Sequence, residues 1–337
     1  MSKVYLAADF GGGSGRVIAG WIEDGKLIME EVHRFGNRQV RLGEHVYWDF
    51  PALFEDMKAG LKKAAAKGHQ VESIGVDTWG VDFGLIDRDG QLIGNPVCYR
   101  DARTAGMTEK LFEQINPTEH YATTGIQVME INTLAQLLSI KGTAQLESAH
   151  RLLFMPDLFS YFLTGKATNE YCIASTSELL DAKRRDWSWE TIEALGLPKH
   201  IFGEIVMPGT VRGELRKDIA EETGLGDVKV IAVGSHDTAS AVAAVPAIEG
   251  DGPVAFLSSG TWSLLGLELP EPILTEEARK AEFTNEGGVG GRIRFLQNIT
   301  GLWIMQRLMA EWKERGEEQT FAQILPAAEQ ANISSII

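Results

Sequence analysis

Short apolar runs separated by glycine-bearing turns open the chain. Lys3–Phe10, Arg16–Ile22 and Leu27–Phe35 read as three strands, the last two joined by a turn at Asp24 and Gly25. The pattern predicts a β-meander at the start, not a βαβ unit. Apolar residues then recur at helical spacing from Pro51 to Lys67, which predicts a helix. Ser73–Trp79 reads as a strand, and Val81–Asp87 as a strand entering a DRDG hairpin. Thr104–Gly165 reads as mostly helical. Strands are expected again at Val228–Val233, Val254–Ser258 and Trp262–Leu269, and at Ile293–Leu296. Helices are expected over Ile299–Arg315 and Thr320–Gln330. Two apolar runs are interrupted by IEGDGP within Pro246–Pro253, the best place for a domain boundary.

The pattern is most telling in VIAVGSHDTASAVAAV, Val230–Val245. An apolar strand, Val230–Val233, is broken by Gly234 and Ser235, and an Ala/Val-rich helix follows from Thr238. His236 and Asp237 therefore stand at a strand-to-helix turn. In open α/β sheets that end of the strands is where ligands bind. A carboxylate there can act as a general base. Asp is also a favoured N-cap residue, and the segment alone leaves both readings open.

Composition narrows the function classes. The 337 residues exceed one ordinary core, so two domains are expected. A net charge of −15 with no Lys/Arg run argues against nucleic acid or an anionic membrane as partner. A bound polyanion would have to be held by backbone amides, a few cations and a metal. Cys98 and Cys172 have no metal spacing and make no disulfide framework, which suits a reducing cytoplasm. No apolar run approaches a membrane span, and the start MSKVYLAADF is a strand, not a signal peptide. His33, His45, His69, His120, His150 and His200 show no ligand spacing and are expected to be structural or exposed. Glu311–Glu318 reads as a solvated helix face.

Several short motifs carry chemistry. GGGSGR, Gly11–Arg16, is a glycine-rich turn between strands whose amides can converge on an anion. It lacks the GK[ST] ending of a P-loop and the GxGxxG spacing. Asp9 before it and Arg16 after it suit a hydrated Mg²⁺ travelling with phosphates. SSGTW, Ser258–Trp262, is a second turn of this kind, and the pair can clasp a polyphosphate from both sides. DTWGVDF, Asp77–Phe83, sets Trp79 and Gly80 at a strand end. The indole can pack on the apolar face of a sugar, and a core tryptophan is the alternative. Asn298 and Gln306 fall at opposite ends of an expected helix start, where surface positions are equally compatible.

Taken together, these segments resemble the FGGY family of carbohydrate kinases, in the actin/hexokinase/chaperone-ATPase superfamily. YRDART (Tyr99–Thr104), MPDLFSYFLTG (Met155–Gly165), SHDTAS (Ser235–Ser240), SSGTWSL and TNEGG join the two hairpins and DTWGVDF in family order over nearly the whole chain. The resemblance implies an α/β, two-domain, actin-like (ribonuclease H-like) ATPase fold. A sugar-binding domain would span 1–245, and 246–337 would begin a nucleotide-binding domain left incomplete, because family members continue through a further adenosine-holding segment. The implied reaction is ATP- and Mg²⁺-dependent phosphorylation of L-rhamnulose at its 1-hydroxyl. Another deoxyketose, or sugar binding without catalysis, is the alternative. Residue by residue, the resemblance makes Asp237 the proton acceptor. It places Gly80, His236, Asp237, Thr238 and Asn298 around the sugar. Gly12, Gly13, Ser14, Gly15, Arg16, Thr261 and Gln306 would contact ATP, with Asp9 near Mg²⁺. With the adenosine-holding segment outside this sequence, the 337-residue chain is expected to bind sugar better than ATP.

Overall fold

The computed structural model describes residues 3–246, 254–260 and 262–331. The first sheet has six strands: Val4–Phe10 (β1), Ser14–Glu23 (β2), Lys26–Gly36 (β3), Val71–Thr78 (β4), Val211–Glu214 (β5) and Lys229–Ile231 (β6). Their spatial order is β5-β6-β4-β1-β2-β3. β1, β2 and β3 form the expected antiparallel meander. β4 lies parallel to β1 on one side and to β6 on the other. The carboxyl ends of β1 and β4 therefore point the same way, which is the condition for a ligand site at that edge.

Phe50–Ala66 (α1) matches the expected helix within one residue at each end. The Asp49 side chain accepts from the Ala52 N–H, and Pro51 sits in the first turn, where it costs no hydrogen bond. Phe50, Leu53, Met57, Leu61 and Ala64 form its buried stripe. Gly60 meets β2: a Cβ there would lie 2.4 Å from a Val17 methyl, so only glycine lets helix and sheet approach this closely. Met155–Thr164 (α2) packs beside α1. Phe159 stacks on Phe10 of β1 at 4.3 Å between ring centroids and meets Phe50 at 4.8 Å. Each such fully buried aromatic contributes roughly 1.5–3 kcal/mol.

The stretch expected to be mostly helical contains a strand, Arg151–Phe154, paired with Phe83–Ile86. That second strand begins later than Val81 because Val81 has a left-handed backbone, φ +65°. A further core around Leu134, Leu152, Phe154, Ile173 and Trp187 fills the region after it. Residues 166–228 hold short pieces such as the two-residue pairing of Asn169–Glu170 with Ile205–Val206.

Asp237–Ala243 (α3) follows β6. Beyond it lies the second sheet, four antiparallel strands: Ala255–Ser259 (β7), Trp262–Leu269 (β8), Phe283–Gly287 (β9) and Ile293–Thr300 (β10), ordered β7-β8-β10-β9. β10 outruns the expected Ile293–Leu296 because it pairs with β8 along its whole length, as far as Thr300 opposite Trp262. The helix expected from Ile299 starts instead at Trp303 and runs to Glu314 (α4). Asn298 is thus a strand residue, not a helix-start residue. Phe321–Gln330 (α5) carries a capping box between Thr320 and Gln323. The boundary segment IEGDGP lies outside the described residues. Among them, no helix is long and apolar enough to cross a membrane, and Cys98 and Cys172 are buried and unpaired.

Candidate functional site

A cavity of about 870 Å³ opens where the two sheets face each other. Its floor is made by strand register. The parallel pairing of β1 with β4 sets Asp9 beside Asp77, and the antiparallel pairing with β2 sets Asp9 opposite Arg16. Arg16 Nε and Nη2 each lie 2.7 Å from Asp9 Oδ2. Burial, and then the neighbouring Asp9 and Asp237 carboxylates, push the Asp77 carboxyl well above the ordinary carboxylate range. Asp77 is thus set between two other carboxylates, Asp9 and Asp237, that disfavour its charge. DTWGVDF showed the residue but not this setting, which only the register creates.

The first glycine turn is tighter than GGGSGR suggests. The Gly11 N–H donates to Ser14 O at 2.9 Å, so β2 starts at Ser14. Asn37 holds the turn from behind: its Nδ2 donates to Gly11 O at 2.9 Å and its N–H to Gly13 O at 3.2 Å. A Cβ on Gly12 or Gly13 would meet no atom within 4 Å, so this backbone faces open space. Gly12, Gly13, Ser14 and Arg16 line the cavity, as does Gln306 of α4. Gly15 departs from them. It is buried, and a Cβ on it would strike the Phe35 ring at 2.4 Å, so it serves sheet packing. The second turn supplies Ser258, Ser259 and Gly260 to the opposite wall. The Leu302 N–H donates to Gly260 O at 2.9 Å, and Gly301 lets the chain come that close: its Cβ would fall 2.7 Å from the same oxygen. Thr261 lies outside the described residues.

Asp237 is the first residue of α3, and His236 holds the N-cap position. The Asp237 carboxylate is anchored through one oxygen. Oδ1 accepts from the Thr238 N–H at 2.6 Å and from Thr238 Oγ1 at 3.2 Å, and lies 3.2 Å from His236 Nε2. Oδ2 accepts no hydrogen bond from the described residues, and the side chain is 39% exposed toward the cavity. One oxygen is thus held, and the other accepts nothing among the described residues.

His236, Thr238, Trp79, Gly80 and Asn298 also line the cavity. Trp79 is nearly buried. Its ring lies 4.2 Å from that of Trp48, and its Nε1 donates to Asp82 Oδ2 at 2.9 Å. Asp82 turns away from the cavity and accepts from Trp48 Nε1 at 2.5 Å, Gln136 Nε2 at 3.0 Å and the Tyr99 N–H at 3.2 Å. Burial nonetheless pushes its pKa up to about 6. Val81, strained at φ +65°, is held by Thr176 Oγ1 on its N–H and Thr133 Oγ1 on its carbonyl, beside the cavity wall. The wall also includes Tyr99, Arg100, Asn132, Thr284, Glu286 and Trp303, to which the sequence reading assigned no role. Arg100 stacks over Tyr99, 5.0 Å from the ring centroid, and brings a cation to the rim. The segments YRDART and TNEGG held the signal, since they stood out without any assigned residue. His45, His69, His120 and His200 are held by Asp101, Glu30, Glu178 and Ala149 O, outside the cavity lining, as expected of structural histidines.

A polyphosphate fits this lining, with open glycine backbone on one wall and Ser258–Gly260 on the other. Among the described residues no group of three metal-binding side chains exists. A cation would rest on Asp9 and on a ligand's phosphates, which is how Mg²⁺ is commonly held.

Sequence and structure comparisons agree with this architecture. Residues 4–244 match the N-terminal domain of the FGGY family of carbohydrate kinases, and residues 255–336 its C-terminal domain. The chain is 47% identical over 314 residues to a rhamnulokinase of Bacteroides thetaiotaomicron, covering 93% of this chain and 64% of the relative. It is 43% identical over 324 residues to one from Oceanobacillus iheyensis, covering 96% and 68%. The chain thus spans about two thirds of the length of these relatives. A ligand-bound xylulose kinase from Lactobacillus acidophilus superposes with a TM-score of 0.82 at 17% identity, covering 98% of this chain and 66% of the other. A glycerol kinase from Plasmodium falciparum with ADP gives 0.77 at 13% identity, covering 93% and 64%. Those two share the fold. With the family match covering both sheets and the cavity between them, the chain belongs to the FGGY family of carbohydrate kinases.

Proposed function

We propose that this chain carries the sugar site and part of the nucleotide site of an ATP-dependent rhamnulokinase, which phosphorylates L-rhamnulose at its 1-hydroxyl. The two lobes are 1–245 and 246–337. The single observation that carries the reading is Asp237: a half-exposed carboxylate, anchored through Oδ1 and free at Oδ2, on a cavity walled by two glycine turns. The 37–47% identity to curated rhamnulokinases supports the choice of ketose.

Asp237 Oδ2 takes the proton of the 1-hydroxyl as its oxygen bonds to the γ-phosphorus of ATP, and the bond from that phosphorus to the ADP oxygen breaks. Phosphoryl transfer of this kind depends on positioning and charge stabilisation more than on covalent work by the protein. His236, Thr238, Gly80 and Asn298 orient the ketose, and Trp79 offers it the uncovered part of its indole. Gly12, Gly13, Ser14, Arg16 and Gln306 face the phosphates. Mg²⁺, when bound with ATP, neutralises phosphate charge, and Asp9 is the carboxylate that would hold it. Enclosure of the cavity keeps water from taking the sugar's place.

The test is ketose-dependent ADP release by the protein with a panel of ketoses, beside Asp237→Asn. L-rhamnulose is expected to be preferred. The Asn variant is expected to lose roughly 10²–10⁴ in kcat while binding the sugar with little change. Near-normal turnover by Asp237→Asn would make the residue a helix-start ligand only.

A further inference from the structure

One nitrogen of His236 faces a cation and an anion together. Arg294 Nη2 lies 3.0 Å from His236 Nδ1. Glu286 Oε2 lies 3.2 Å from the same nitrogen and 3.0 Å from Arg294 Nη2. These partners come from the second sheet, where Glu286 on β9 and Arg294 on β10 are direct cross-strand neighbours. Arg294 is fully buried and Glu286 is 9% exposed. Arg294 is aimed by its own neighbour: Nε donates to Gly287 O at 2.9 Å. Burial opposes ionisation of Glu286, but the Arg294 guanidinium leads the effects that outweigh it and hold the group below the ordinary carboxylate range.

Donor and acceptor chemistry decides between the two partners. A guanidinium has donors only, so its hydrogen bond to Nδ1 requires a lone pair there and places the ring proton on Nε2. The contact with Glu286 is the longer of the two, and Glu286 Oε2 receives no hydrogen bond of good geometry despite its burial. Nε2 in turn lies 3.2 Å from Asp237 Oδ1. It also faces Gly80, where a Cβ would sit 3.4 Å from it.

We propose that Arg294, paired with Glu286, is a positioning residue that fixes His236 as the Nε2–H tautomer and so turns that N–H toward Asp237 Oδ1, 3.2 Å away. The base stands on α3 and its orienting groups on the second sheet, so the setting of Asp237 depends on how these two elements meet. That Asp237 is the base rests on the proposed kinase reading. The tautomer does not.

The experiment is long-range ¹H–¹⁵N correlation on the full chain labelled with [¹⁵N]histidine. The His236 signals are identified by their loss in His236→Asn. The Nε2–H tautomer is expected in the unmodified chain. Arg294→Met leaves Glu286 as the sole charged partner of Nδ1 and is expected to move the proton to Nδ1. The other six of the seven histidines should be unmoved. Calorimetry should show L-rhamnulose affinity about tenfold weaker in that variant, since the N–H turned toward Oδ1 is lost. An Nδ1–H or doubly protonated ring in the unmodified chain overturns the proposal. So does an unchanged His236 tautomer in Arg294→Met. If Arg294→Met disturbs the other six signals, Glu286→Gln replaces it, with Nε2–H expected to persist; loss of Nε2–H there overturns the proposal. Absence of L-rhamnulose binding by the unmodified chain would remove the substrate reading and leave the tautomer result standing.

Discussion

The two sheets that face the cavity are built on different terms. The first is buried under α1 and α2, with Phe10, Val17, Trp48, Met57, Leu61, Ile74 and Phe159 closed off from solvent. The second has a small core of Val242, Phe256, Leu264 and Leu296. Leu257, Leu265 and Ile299 on its strands are exposed, and neither α4 nor α5 buries a residue. Leu302, Ile304, Leu308, Phe321 and Leu325 are exposed there. Both regions have regular secondary structure and clear apolar patterning. An apolar stripe specifies a helix and the face that favours cover, but burial requires a partner at the right distance. Asp9 and Asp77 stand on the well-packed sheet, and Asp237 on α3 just after it. The second sheet contributes Asn298, Glu286 and one glycine turn, groups that act across the gap.

The contrast is sharpest in stability. Phe159→Ala, which empties the space between β1 and α1, is expected to cost about 3–5 kcal/mol. Leu265→Ala, on the exposed face of β8, should stay within about 0.5 kcal/mol. Paired urea titrations measure both. Equal costs would break the comparison and put a hidden core under the second sheet.

A pH effect follows from Asp82. Its native pKa of about 6 exceeds the usual 3.8, so between these values the folded chain holds a proton that the unfolded chain releases. The unfolded state binds fewer protons in that window, so this group's contribution to stability falls as pH rises through it, by up to about 3 kcal/mol for a shift of about two units. Asp82→Asn should remove that component. The check is the difference in unfolding free energy between the unmodified chain and Asp82→Asn from pH 4 to pH 7. A constant difference would mean that the donors from Trp48, Trp79, Gln136 and Tyr99 cancel the cost of burial.

A smaller effect concerns Trp79, which straddles core and cavity. Trp79→Ala should weaken ketose binding more than ATP binding, by about 1 kcal/mol beyond the loss of buried area. Calorimetry with each ligand separates the cases, and equal losses would assign the indole to the core alone.

Much of the local structure was legible because it is written at short range. The meander, α1, both glycine turns and the strand-to-helix turn at His236 and Asp237 follow from periodicity and glycine placement within a few residues. What the sequence left open is long-range. Asn298 sits on a strand because β10 pairs with β8 to its end. Gly15 faces Phe35, although its neighbours face the cavity. Asp77 meets Asp9 only through the pairing of β1 with β4, and Asp82 is a hub only when Trp48, Tyr99 and Gln136 converge on it. Arg294 meets His236 across 58 residues of chain. Register between strands and the approach of distant segments depend on packing, and packing energy is shared among many contacts that no single stretch of sequence contains.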